Sequence, residues 1–493
     1  MTNPIITENQ NTPGTTAWKI TNHATTEIQA YATTTSLAAG STISFCVSTQ
    51  VASTAYTLNI YRIGYYNGFG GSLKYTAANN GIAQGYWDLV SSTPTNCPTA
   101  IIDNTTHLCD AGWAVTDTWA IPANATTGIY EALFQDANGK QHGVAFVVKG
   151  NATADYAVSR PHITDQAYNE WGGYSLYTNP TVGVKVSFNR PMLATNGVLT
   201  QDGTGTLSKL DIAAIKWLEK QGYNLSYLSD VDVHGNPAQL LSFKAYLVLG
   251  HAEYWSKAMR DGVEAAIAGR VGAAFLGAND CYWQVRFEND HAGNPNRTVV
   301  CYKVTTVAHN LALDPQYGVN NAIVTTLWRD PVVGRPENTM MGIMFLDSTN
   351  GANTAWTVDS NADQTYFADT GLARGGSYGS DVVGYEWDAV QSGGPANLKI
   401  IGTSSQTNKQ SQPSTSNTTT YIAPSGALVF ATGSIDWTWA LDGYRWAGGQ
   451  TVPIPQIQKL MANIMGALIW PIVLMMFESN LVWYTRYPVG RKH

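Results

Sequence analysis

A chain of 493 residues exceeds what one ordinary core holds, so two or three domains are expected. Hydrophobic residues make up 44%, as in a globular protein, but charged residues only 13%, about half the usual share, with Ser, Thr, Asn and Gly carrying the polarity. The net charge of -7 is spread thinly and no Lys/Arg run occurs, which leaves no electrostatic footprint for nucleic acid.

Residues 1–20 read as a loose polar arm. They lack the basic and apolar stretches of a secretory signal, so the cytoplasm is the default compartment, although the composition leans outward. Residues 21–150 then carry short alternating runs broken by turns: STISFCVS, YTLNIYRIGYY, GIYEALF and HGVAFVVKG. That spacing predicts an all-β, immunoglobulin-like sandwich.

The texture changes after Asn151. VKVSFNRP reads as a strand, KLDIAAIKWLEKQGY as a helix, and NLSYLS as a strand followed by a turn around Asp230. AYLVLG and VGAAFLG are apolar strands with the helix SKAMRDGVEAAIAG between them. Alternation of this kind predicts an α/β fold, a parallel sheet flanked by helices, over residues 151–475. Residues 323–388 read as an insertion, LKIIGTSS and GALVFATGS as further strands, 404–420 as a Ser/Thr/Gln/Asn loop, and Gln456–Leu468 as a closing helix. The apolar run Ile464–Phe477 is shorter than a spanning helix needs and reads as a buried helix followed by a terminal strand, with a tail anchor before the basic end RKH as the alternative; residues 476–493 form a tail. Of the five cysteines, Cys97 and Cys109 are close enough in sequence to bridge in an oxidising compartment, while Cys46, Cys281 and Cys301 read as buried thiols.

Ligands of open parallel sheets bind beyond the carboxyl ends of the strands. His251 and Glu253 directly follow AYLVLG, and Asn279 directly follows VGAAFLG, so adjacent strands would gather all three. The competing reading is that His251 and Glu253 merely cap the next helix. AYNEWGGYSLY, residues 167–177, is a second aromatic cluster, suited to a pocket or to a packed loop. The Gly-x-Ser-x-Gly match around Ser377 lacks the strand and helix of a nucleophile elbow and reads as a glycine-rich turn.

WLEKQGYNLSYLSDVDV, LVLGHAEYWSKAMRDGVEAAIAGRVGAAFLGANDCYWQVRFE, TTLWRDPVVGRPENTMMGIMF and ATGSIDWTWALD resemble the C-terminal domain of the N,N-dimethylformamidase large (beta) subunit family. AYNEWGGYSLY and VSFNRP fit its start, and YTLNIYRIGYYNGFGGSL resembles the sandwich that precedes it. The resemblance implies a glutamine-amidotransferase-like or flavodoxin-like α/β domain, Rossmann-like in its layering. It also implies a mononuclear iron, Fe3+, held by two tyrosinates and one glutamate, which hydrolyses a small amide. By position, Tyr168 and Glu253 would be metal ligands, with Tyr130 as the second tyrosine. Glu386, His251 and Asn279 would serve as catalytic or supporting groups. The implied partners are a small amide substrate and either a small companion subunit or a second copy of the chain. Two alternatives stand beside this reading: a glycan- or surface-binding protein using its aromatic loops, and a metal-dependent hydrolase of another bond.

Overall fold

The computed structural model describes residues 3–89, 94–150, 153–177, 182–304, 310–351, 353–445 and 452–469. Alternating side chains at the N-terminal end build two facing sheets. One holds Ile28–Ala32, Thr42–Thr49 and Asp117–Ala120. The other runs Ser36–Ala38, Gln141–Lys149, Gly128–Asp136, Ala55–Ile63, Gly71–Asn80. Between them lie Phe45, Leu58, Ile60, Phe134 and Phe146, with Phe45 set edge-on to Phe134 at 5.5 Å.

The outer face of the larger sheet is not left to water. Tyr61 and Ile63 join the core that contains Val158, Leu207, Ile215 and Trp217 of the next domain. Arg62, fully buried, reaches the equally buried Glu219 at 2.6 Å across the same seam. The N-terminal arm is likewise not loose. Pro4–Asn11 is a helix capped by Asn3, with Ile5 in the core and Asn9 hydrogen-bonded to Glu219 and to the backbone of Tyr66.

The largest sheet has seven strands in the order Leu225–Ser229, Tyr156–Arg160, Ala245–Gly250, Gly272–Gly277, Leu428–Ala431, Pro413–Ile422, Lys399–Thr407. The first five are parallel and the last two antiparallel. Tyr156–Arg160, in the short sequence DYAVSR, is an element that the sequence pattern does not announce. Helices Ile212–Lys220, Lys257–Ala268 and Pro455–Ile469 are the longest among the described residues. The last buries Leu460, Ile464 and Leu468, and its Met465 carbonyl accepts from Tyr156 Oη at 2.9 Å.

This corrects the expected fold class. Strand accounts for 34% of the described residues against 20% for helix, which makes them mostly β rather than a parallel sheet wrapped in helices. The other sheets are small and antiparallel or mixed, and even the largest is mixed. Two segments carry the difference. The expected loop 404–420 is an antiparallel hairpin of the main sheet, where Thr418 and Thr420 are buried and a polar sequence still forms strand through β-branching. The expected insertion 323–388 forms strand pairs Met344–Ser348 with Glu386–Ala389 and Thr354–Thr357 with Ser377–Val383. The five cysteines are free thiols, Cys97 and Cys109 included. The end of the apolar run and the tail 476–493 lie outside the described residues. No helix among the described residues is long and apolar enough to cross a membrane.

Candidate active site

The site lies at the carboxyl ends of three adjacent strands, with a fourth wall from residues 385–388. Gly250 and Gly277 are register partners, and a Cβ on Gly277 would stand 1.7 Å from the Gly250 carbonyl oxygen. Only glycine permits the two strand ends to meet so closely, and Gly250, at φ 61°, then turns the chain out of the sheet into His251. Asn279 sits in the left-handed region that asparagine tolerates, at φ 56°, held by its amide donating to Asp388 Oδ1 at 2.7 Å.

Glu253 is fixed by its backbone. Its N–H donates to Thr164 Oγ1 at 3.0 Å, and its carbonyl accepts from Tyr282 and Trp283. The neighbouring Ala252 N–H donates to Asp280 Oδ1 at 2.9 Å. Glu253 does not cap the following helix; Ser256 does, accepting from the Met259 N–H. Tyr168 ends the helix His162–Tyr168, which the strand Tyr156–Arg160 delivers to the mouth of the sheet.

The side chains then converge. Tyr168 Oη donates to Glu253 Oε2 at 2.8 Å, and Tyr177 Oη donates to Oε1 at 2.5 Å. Tyr254 Oη donates to Tyr177 Oη at 2.5 Å. His251 Nε2 stands 3.4 Å from Glu253 Oε2 and 3.7 Å from Glu386 Oε2, while its Nδ1 faces the Ala278 carbonyl at 3.3 Å. Asn279 Nδ2 donates to Glu386 Oε2 at 3.1 Å. Four buried polar atoms here lack a hydrogen-bond partner among the described residues: His251 Nε2, Asn279 Oδ1, Asp280 Oδ2 and Tyr385 Oη. Lys303 places its ammonium 3.1 Å from the centre of the Tyr177 ring and near Tyr254 and Trp283.

Burial opposes charge on the phenols, and the Glu253 carboxylate adds to it, so Tyr168 and Tyr177 are held well above the ordinary phenol range. Burial also pushes the His251 imidazolium down, but Glu386 and Glu253 outweigh it and lift His251 to about 9. Glu386 is raised, mainly by burial, whereas the burial that would raise Glu253 is outweighed by His251, Lys303 and Tyr177 together, which lower it. The result is an imidazolium between two carboxylates, one of them inclined to hold a proton.

Tyr130 is not part of this constellation. It lies in the sandwich core against Trp119 and Phe146, with its hydroxyl donating to the Thr126 carbonyl at 2.8 Å. The phenol that meets Glu253 beside Tyr168 is Tyr177, from the same AYNEWGGYSLY cluster. Tyr254, Lys303 and Tyr385 are further site residues outside the sequence expectation. Tyr254 directly follows Glu253 and Tyr385 directly precedes Glu386, but nothing local marks Lys303.

A family profile described as N,N-dimethylformamidase beta subunit-like, C-terminal, matches residues 57–451. The chain belongs to this family. The dimethylformamidase-like match begins within the sandwich strand Ala55–Ile63 and so takes in most of that domain as well as the site. No curated protein matches the sequence. Among solved structures, one similar over 68% of this chain is a cycloisomaltooligosaccharide glucanotransferase from Paenibacillus sp. complexed with cycloisomaltoheptaose. The identity is 8% and the TM-score 0.17, and the chain spans 62% of that structure's length; the likeness carries no argument.

Proposed function

We propose that this dimethylformamidase-like protein hydrolyses the C–N bond of a small amide, with a ferric ion held by Tyr168, Tyr177 and Glu253. The observation that carries the reading is the convergence of two phenols on the two oxygens of one buried carboxylate. The donor set fits the ion: hard, anionic oxygens in a trio that leaves room for further ligands. Among the described residues, no group of three or more His, Cys, Asp and Glu side chains is placed to hold a metal; the proposed set is one carboxylate and two phenols. Bound there, a ferric ion supplies Lewis acidity: it favours the phenolates, polarises an amide carbonyl and lowers the pKa of a water.

The chain's own groups do the rest. Glu386, raised by burial, takes a proton from the attacking water and returns one to the leaving nitrogen as the C–O bond forms and the C–N bond breaks. His251 keeps the charges of Glu253 and Glu386 compensated, and its Nδ1 contact with Ala278 sets the ring's orientation. Asn279 spends Nδ2 on Glu386 and presents Oδ1 unpartnered, an acceptor for a substrate N–H. The arrangement therefore favours amides that carry an N–H.

The test is metal analysis of the purified chain together with a screen of formamides, acetamides and esters. Stoichiometric iron, a tyrosinate-to-iron absorption band and amide turnover support the reading. A colourless, iron-free protein without amide turnover sinks it, and turnover of esters alone moves it to another bond.

A further inference from the structure

A second polar site lies at the seam of the two domains, away from Glu253. A cavity of about 50 Å³ there is lined by Arg160, His162, Arg190, Arg297, Thr34 and Asp165, among others. Its volume exceeds what one water needs. Two of its three guanidinium groups touch no carboxylate, although Asp290 and Asp110 act on Arg297, and Asp110 on Arg190, at longer range. Arg160 is matched, by Asp165 at 2.7 Å and Asp211 at 3.3 Å. Arg190 and Arg297 are 1% and 7% exposed, and among the described residues no carboxylate oxygen lies within 4.0 Å of either.

The two unmatched cations differ. Arg190 is saturated by backbone carbonyls, those of Trp171, Tyr174, Asn169, Gln166 and Ser187. Arg297 is not. Its Nε donates to Asn189 Oδ1 at 2.9 Å and one Nη to the Ala32 carbonyl at 3.1 Å; the other Nη has no hydrogen-bond partner among the described residues, and Arg297 lines the cavity. Beside it stands His162, 6% exposed, whose ring nitrogens reach only the backbone of Arg160 and Ala145 and make no well-aligned hydrogen bond there. Burying a guanidinium with no carboxylate in contact is costly, and a poorly partnered imidazole adds to the cost. A small anion relieves both at once.

We propose that this seam cavity is a binding site for a small anion, a halide or a compact oxyanion, held by Arg297 with His162 and Arg160. It joins the sandwich, through Ala32 and Thr34, to the C-terminal domain. The site is independent of the iron reading. Thermal unfolding of the full chain in sodium chloride, sodium formate and sodium phosphate is compared with sodium gluconate at matched ionic strength. At least one small anion should raise the Tm saturably, by about 2 °C or more, where gluconate does not. Phosphate also stabilises by exclusion from protein surfaces, but that effect does not saturate. Arg297→Gln should abolish the saturable rise, and His162→Gln should weaken it if the first variant does not fold. Equal Tm values in all four salts, or an undiminished response in the variants, would overturn the proposal.

Discussion

Tyr168 and Tyr177 stack face to face, ring centres 4.2 Å apart and planes within 14°, and each donates its hydroxyl to a different oxygen of Glu253. Two phenols so placed act together on one buried carboxylate, with His251 Nε2 3.4 Å from its Oε2. If this trio holds iron, Tyr177→Phe should lower iron affinity tenfold or more, on the order of a lost metal-site group, and displace or bleach the visible band. Glu253→Ala should remove both iron and band from a folded chain. Tyr130→Phe should change neither and cost about 1 kcal/mol for its bond to Thr126. Iron analysis and absorption spectra decide; a band lost in Tyr130→Phe and kept in Tyr177→Phe would reverse the assignment.

Glu386 separates metal binding from turnover. Its carboxylate touches Asn279 and faces His251, but neither tyrosine donates to it. Glu386→Gln keeps the bond to Asn279 and removes the base. Iron content should stay at the wild-type level while kcat falls by about 10²–10⁴. Unchanged turnover would take Glu386 out of the chemistry.

How much of this was legible in the sequence follows from where its physics is local. AYLVLG and VGAAFLG are near-continuous apolar runs, and both are buried strands whose ends place His251 and Asn279 side by side. Of the hairpin, the first strand, Lys399–Thr407, shows in the apolar start of LKIIGTSS, but its partner Pro413–Ile422 was hidden because its buried positions are Thr and Ser, such as Ser416 and Thr418, which composition assigns to loops. Such strands tip the chain toward β. Tyr177 was within reach, nine residues after Tyr168 in one aromatic cluster, but Tyr130 sits on a better-patterned strand. Which phenol meets a carboxylate some eighty residues away depends on tertiary packing, which no local pattern encodes. Lys303 illustrates the limit: its partners Tyr177, Tyr254 and Trp283 come from three separate segments.

The seam between the domains gives a stability prediction. Burial alone would weaken the Arg62 cation, and the Glu219 carboxylate outweighs that burial. Glu219 also accepts from Asn9 and Tyr227, so one carboxylate ties the sandwich, the N-terminal helix and the main sheet together. Glu219→Gln strands Arg62 as a buried charge and should cost about 3–5 kcal/mol in chemical denaturation. The double change Arg62→Met with Glu219→Met should recover part of that loss, because no charge is then left unpaired. A double variant less stable than Glu219→Gln would show that the network matters more than the charge balance.

His142 predicts how stability responds to acid. It is fully buried in the larger sheet of the sandwich, and its Nε2 meets the Ala30 carbonyl of the smaller sheet at 3.0 Å. Burial outweighs that contact and pushes its pKa from 6.5 down to about 4. Between those values the unfolded chain binds a proton that the folded chain refuses, so stability falls as pH falls. The contribution is fully present above 6.5 and lost below about 4. The shift corresponds to roughly 3 kcal/mol. Buried Asp211 and Asp230, raised to about 7 and about 8, act with the opposite sign over an overlapping range, so the wild-type curve alone does not isolate His142. The difference between wild type and His142→Gln does, because the aspartates cancel. That difference, from denaturant titrations at intervals between pH 4 and 7.5, should shrink steadily as the solution is acidified. Parallel curves would mean that His142 takes up its proton without unfolding the sandwich.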